Sequence, residues 1–185
     1  DYDGDAAADI TPAWSFNGFI SGDTSATIAY TGRNYNTADV TTANLITVSG
    51  LSITSVAGGN SSAPEDYVLD STTKTVNATI TPKTVSLAVA PKVYDASTDM
   101  TGYVSITTGV GGETLTYNGA TSNDAHVATA GKYLNAITLG NASDGSGGLA
   151  SNYQLPTLNA ANALVTINPK TLTLTLTNSG YSQVY

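Results

Sequence analysis

The feature that most constrains this chain is that it repeats itself. Tyr2 in "DYDGD" (1–5), Tyr94 in "KVYDASTD" (92–99) and Tyr185 lie 92 and then 91 residues apart. More than a tyrosine returns. "NATITPKTVSLAV" (77–89) matches "ALVTINPKTLTLTL" (163–176), pairing Ile80 with Ile167, Pro82 with Pro169 and Lys83 with Lys170. Tyr67 in "EDYVL" matches Tyr153 in "SNYQL", and Tyr30 in "TIAYTG" matches Tyr117 in "TLTYNG". Four landmarks in one order, at offsets of 86 to 92, are a poor fit to chance. They predict two copies of one small domain and the opening strand of a third.

Each landmark has the period of a strand. "TLTLTLT" (171–177) places Leu172, Leu174 and Leu176 on one face and threonine on the other. Val85, Leu87 and Val89 do the same in the earlier copy, as do Val76, Ala78 and Ile80, and Ala163, Val165 and Ile167. "LITVSGLSI" (45–53) and "NAITL" (135–139) supply middle strands, with Gly-, Asn- and Ser-rich turns between. No window sustains a 3.6-residue period. The expectation is an all-β chain of two tandem β-sandwich modules, about seven strands each, with almost no helix.

Proline cannot donate to a central ladder, so Pro82 and Pro169 fit the handover from one module to the next. The expected modules are residues 1–82 and 83–169, with 170–185 opening a third. No Gly/Ser linker separates them, which predicts stiff neighbours. The first module lacks a "PKTVSLAV"-type strand, while Lys170–Leu176 is such a strand without a module to complete. Either the chain is cut from a longer array, or Leu172, Leu174 and Leu176 form a donor strand that completes the sheet of a neighbouring copy and builds a fibre.

Composition narrows the function. Twelve Asp and two Glu against five Lys and one Arg give a net charge of −8, too few cations for nucleic acid or an anionic membrane surface. No apolar stretch is long enough to span a bilayer as a helix. The absence of cysteine excludes a disulfide framework and thiol chemistry. With one methionine and only 11% charged residues, the chain reads as extracellular. It shows no signal peptide and no initiator Met, which reads as a mature chain or a fragment.

The "VYD-G/A" phrase, the "YxL" segment and the "TI-x-PKT-x-x-L" closing phrase together resemble the YDG-type repeat of large, filamentous-haemagglutinin-like bacterial surface adhesins. That resemblance implies immunoglobulin-like β-sandwiches strung in tandem as stalks, with no catalytic residues to carry over. Its partners would be neighbouring repeats, copies of the same protein or a host or matrix surface. Ala96 stands where the first copy has Gly4, which weakens any reading that needs glycine's backbone freedom there.

Most side chains able to do chemistry have an architectural reading as well. Tyr2 and Tyr94 are expected to bury their rings, with Asp3 and Asp95 capping the turn that follows. Tyr67 and Tyr153, two residues before Leu69 and Leu155, resemble the tyrosine corner of immunoglobulin-like domains. Asp1, Asp3 and Asp5 alternate like a calcium loop, with Asp95 and Asp99 as later counterparts. Ala6 and Pro12, however, occupy positions where an EF-hand needs Gly and Glu, so a solvated acidic turn is expected and no cofactor. The single His126 supports neither a zinc site nor a Ser-His-Asp triad. Glu65 and Glu113 fall at unrelated repeat positions, against a glycosidase pair. "GVGGETL" (109–115) lacks the Lys-Ser/Thr of a phosphate loop. Lys83 and Lys170 recur at strand starts, where an isopeptide bond would begin, but are expected to be ordinary exposed lysines. Trp14 and Phe16, with Phe19, occur only in the first copy. They pack a core or form a platform for a glycan or host protein.

Overall fold

The computed structural model describes residues 1–177, 180 and 183, and there the chain is almost entirely β. The first half carries β1 (Asp23–Ala29), β2 (Gly32–Tyr35), β3 (Leu45–Ser49), β4 (Ser52–Gly58), β5 (Thr73–Asn77) and β6 (Lys83–Thr84). Then come β7 (Ser86–Val89), β8 (Lys92–Val93), β9 (Val104–Thr107) and β10 (Thr116–Ser122). The last are β11 (Leu134–Gly140), β12 (Tyr153–Gln154) and β13 (Ile167–Asn168). Helix among the described residues is limited to two single 3-10 turns, Pro64–Asp66 and Ala150–Asn152.

Two compact units share these strands. The first comprises residues 1–85, 108–115 and 141–154. Here β2, β3 and β5 form one antiparallel sheet, β1 pairs with β4, and β6 runs parallel to β12. Alternation on β3 buries Ile46 and Val48, which join Ala8 and Leu51 in a core that Ile28, Leu69 and Trp14 flank. The run "LITVSGLSI" does not continue as one strand. It breaks at Gly50, whose φ of +66° suits glycine, so the chain leaves the β3 sheet and enters the β1–β4 sheet. A Cβ there would also meet Thr31 Oγ1 at 2.1 Å.

The second unit comprises residues 86–107, 116–140 and 155–185. Its β7 pairs with β9 and β10 with β11, both antiparallel, while β8 runs parallel to β13. Met100, Ala120, Leu134, Ala163, Val165 and Ile167 form its core, with Leu87 and Val89 packed against it. The alternation read at Ala163, Val165 and Ile167 therefore does point inward.

Two expectations of strand burial are corrected. Val76, on β5 opposite Ile46, shares that residue's face of the sheet yet is 53% exposed, because β5 is the edge strand and the core covers β3 but not it. The run 171–177 lies in no strand, and Leu172, Leu174 and Leu176 are 91%, 96% and 88% exposed. Alternation gives these leucines a common face, but nothing among the described residues covers it. Val184 and Tyr185, the third copy of the opening phrase, lie outside the described residues.

Candidate functional site

The tyrosine phrase is built the same way twice. A residue before proline is held extended, and an extended residue such as Thr81 or Asn168 projects its carbonyl sideways, where a neighbouring segment can donate to it. Tyr2 N donates to Thr81 O and Tyr94 N to Asn168 O, each at 2.9 Å. The next residue then closes a turn on itself. Asp3 Oδ1 accepts from Asp5 N at 3.1 Å, and Asp95 Oδ1 from Ser97 N at 3.0 Å. The fourth residue is left-handed in both copies, with φ +95° at Gly4 and +66° at Ala96. The left-handed turn thus persists where alanine replaces glycine, contrary to the sequence expectation. Packing explains why glycine is kept in the first copy: a Cβ on Gly4 would come within 2.7 Å of Val110 Cγ1, whereas Ala96 is exposed.

Beyond the backbone the two tyrosines diverge. Tyr2 is buried, meets Tyr153 edge-on at 5.3 Å, and donates its hydroxyl to Glu113 Oε1 at 2.5 Å. Tyr153 donates to the other oxygen of the same carboxylate at 2.8 Å. Burial first, and then the Glu113 carboxylate, pushes the Tyr2 phenol up to about 12. The Tyr153 phenol is raised for the same reasons. Beside them Asn152, 1% exposed, donates to Asp39 Oδ1 at 3.0 Å and accepts from Val40 N at 2.9 Å. Tyr94 instead stacks on the exposed His126, with centroids 6.1 Å apart. Its hydroxyl has no hydrogen-bond partner among the described residues.

Tyr67 has the surroundings of Tyr153 in a simpler form. Each follows a 3-10 turn, each takes an aromatic edge, and each donates to a carboxylate. For Tyr67 the ring is Phe19, at 5.2 Å and 81°, and the acceptor is Asp23 Oδ2 at 2.7 Å. Ser62, Tyr67 and Asn60 all donate to Asp23 and hold its carboxyl below the usual range. Burial and Asp23 raise the Tyr67 phenol. An immunoglobulin-type corner sends its hydroxyl to backbone; both tyrosines here choose an acid. Glu113, set aside by repeat position, proves to be the acceptor at the centre of one cluster. Its only sequence signal is an acid just ahead of a "T-x-x-Y" strand, a place Asp23 fills more loosely.

A groove of about 440 Å³ opens in the first unit, lined by Trp14, Phe16, Phe19, Ile28, Leu51, Ile53 and Leu69 among others. Trp14 is half-buried against the core, and Phe16 is 37% exposed with its ring 5.6 Å from that of Phe19. Trp14 and Phe16 are thus brought to one cavity rather than to an open platform.

The remaining residues singled out by sequence stay apart. Asp1 accepts from Thr81 Oγ1, and Asp3 and Asp5 cap backbone amides. Among the described residues no three His, Cys, Asp or Glu converge to hold a metal. Lys83 is half-buried and Lys170 exposed. The lysines that are buried, Lys92 and Lys132, were missed. Lys92 Nζ donates to Ser97 O and Asp99 O and pairs with Asp95 at 2.9 Å, which lowers the Asp95 carboxyl. Lys132 Nζ donates to Val127 O and Thr129 O. Each gathers the carbonyls of a loop around one ammonium. No described helix is long and apolar enough to cross a membrane.

No family model matches this chain, and neither does any curated protein or solved structure.

Proposed function

We propose that the chain is a structural, non-enzymatic pair of tandem repeats from an extracellular bacterial adhesin or surface fibre, serving as a stiff segment of its stalk. One observation carries this reading. The 3-10 turn, phenol, carboxylate and aromatic edge at Tyr67 are built again at Tyr153, with Phe19 and Tyr2 supplying the ring and Asp23 and Glu113 the acid. A device duplicated with different residues but one geometry serves architecture, since turnover needs particular atoms in particular places. The resemblance to YDG-type repeats supports the same conclusion. So does the placement of Trp14 against the Ile46 and Val48 core, which suits packing better than a glycan platform.

Tyr153→Phe tests it. Removing a buried hydroxyl that donates to a carboxylate should cost about 2 kcal/mol in denaturant unfolding. The bound form is the neutral phenol, because burial raises the folded value above the ordinary 10.0. Its contribution is therefore complete below pH 10 and is lost as pH climbs beyond it. Wild type should lose stability on that climb more steeply than Tyr153→Phe. A variant with unchanged unfolding but a lost ligand or activity would contradict an architectural role.

A further inference from the structure

Part of the wall of the 440 Å³ groove in the first unit is a segment without strand structure. Residues 13–22 align without a gap to residues 100–109, which include β9, yet residues 13–20 lie in no strand. Side chains hold the segment in place instead. Trp14 packs against the Ile46 and Val48 core, and the Phe19 ring meets that of Tyr67 edge-on at 5.2 Å. Ile20 N donates to the Tyr67 hydroxyl at 3.2 Å, and that hydroxyl donates in turn to Asp23. Phe19 also braces Phe16, with ring centroids 5.6 Å apart. Between Trp14 and Phe19 the lining includes Phe16, 37% exposed, and the exposed Asn17. Asn17 has no hydrogen-bond partner among the described residues. The lining also includes Asp70 and Lys74, both exposed and paired at 2.6 Å.

We propose that this groove binds a short, neutral oligosaccharide, an inference that goes beyond the stalk role. A pyranose ring has an apolar C–H face and a rim of hydroxyls that both donate and accept. A site for it therefore needs an aromatic face with a few polar groups converging beside it. Trp14 is committed to the core, so Phe16 supplies the face, and the Asn17 amide both donates and accepts. The Asp70–Lys74 pair sets an acceptor beside a donor, which matches two neighbouring hydroxyls. A wholly apolar ligand would strip water from these three polar side chains and return no hydrogen bond. The groove volume falls within the roughly 300–1,000 Å³ of small-molecule sites. Charge then selects among sugars. Lys74 is already paired, Glu65, Asp66 and Asp70 lie on the same stretch of chain, and the net charge is −8, so a sugar carboxylate is repelled. Because the wall is anchored before a ligand arrives, binding orders little further chain.

Trp14 is the only tryptophan and lines the groove, so its fluorescence reports occupancy. Maltotriose, cellotriose, mannotriose and chitotriose are titrated separately into the intact chain. At least one should shift Trp14 emission saturably, with a Kd on the order of 1 mM, and trigalacturonate should not. Phe16→Ala should weaken that binding about tenfold. Asn17→Ala should weaken it about fivefold and melt like wild type, since the side chain it removes has no internal partner; it keeps the test decisive if Phe16→Ala unfolds. Absence of a saturable shift with all four neutral sugars would overturn the proposal. So would binding undiminished in both variants, or equal binding of trigalacturonate. In each case an intact Tyr153→Phe stability loss would leave the stalk reading standing.

Discussion

In the second unit β7 lies against β9, and its Leu87 and Val89 pack onto a core of Met100 and Leu134. Residues 13–22 align without a gap to residues 100–109, yet residues 17–20, which answer to β9, lie in no described strand and border the groove of the first unit. The residues that would line a ladder there are no poorer in character than those of β9, since Phe16 and Phe19 stand where Tyr103 and Ile106 do. What differs in the structure is the neighbour: β9 has β7 beside it, whereas among the described residues no strand pairs with residues 17–20.

The same contrast runs through the 3-10 turns. Asn152 is sealed in, with Asp39 and Val40 N bound to its amide, whereas Asp66 at the matching position is exposed and caps only Ala63 N. Asn152→Ala should therefore have the largest effect of the substitutions considered, about 2–3 kcal/mol in denaturant unfolding, because it strands a buried amide and a carboxylate. Asp66→Ala should cost a small fraction of that. Equal losses would mean that the two turns are not differently loaded. The fourth residue of the tyrosine phrase gives a smaller and opposite-signed pair. Gly4→Ala should destabilise by roughly 2 kcal/mol through its left-handed φ and the clash with Val110. Ala96→Gly should stabilise by about 0.5–1 kcal/mol, the relief of strain being partly offset by the freer unfolded chain. Thermal melts of both would sharpen or break the claim that the turn is one device in two settings.

Much of this is legible in the sequence, for a physical reason. Period-2 alternation at "NAITL" and at Ala163–Ile167 reports a half-buried strand wherever a core lies on one side. Turn residues such as Asp3 and Asp95 act on amides two positions away, so their role is local and readable. The alternation at 171–177 was equally clean but describes only what the segment can pair with, and no described residue covers it. Gly50 turned an apparent single run into two strands in two sheets, which hydropathy alone does not reveal. The Tyr2–Glu113–Tyr153 cluster was hidden because its members are 111 and 40 residues apart. The shared acids, moreover, do not fall in repeat register. Buried Lys92 and Lys132 were missed because an ammonium that satisfies loop carbonyls has no sequence period.

The account stands or falls on two aligned segments of one chain, one paired in a ladder and one in no described strand. Amide hydrogen exchange on the dilute protein measures this residue by residue. Amides of Val104–Thr107 should be strongly protected and those of residues 17–19 and Val68 nearly unprotected. Comparable protection of both segments in the dilute chain would contradict it.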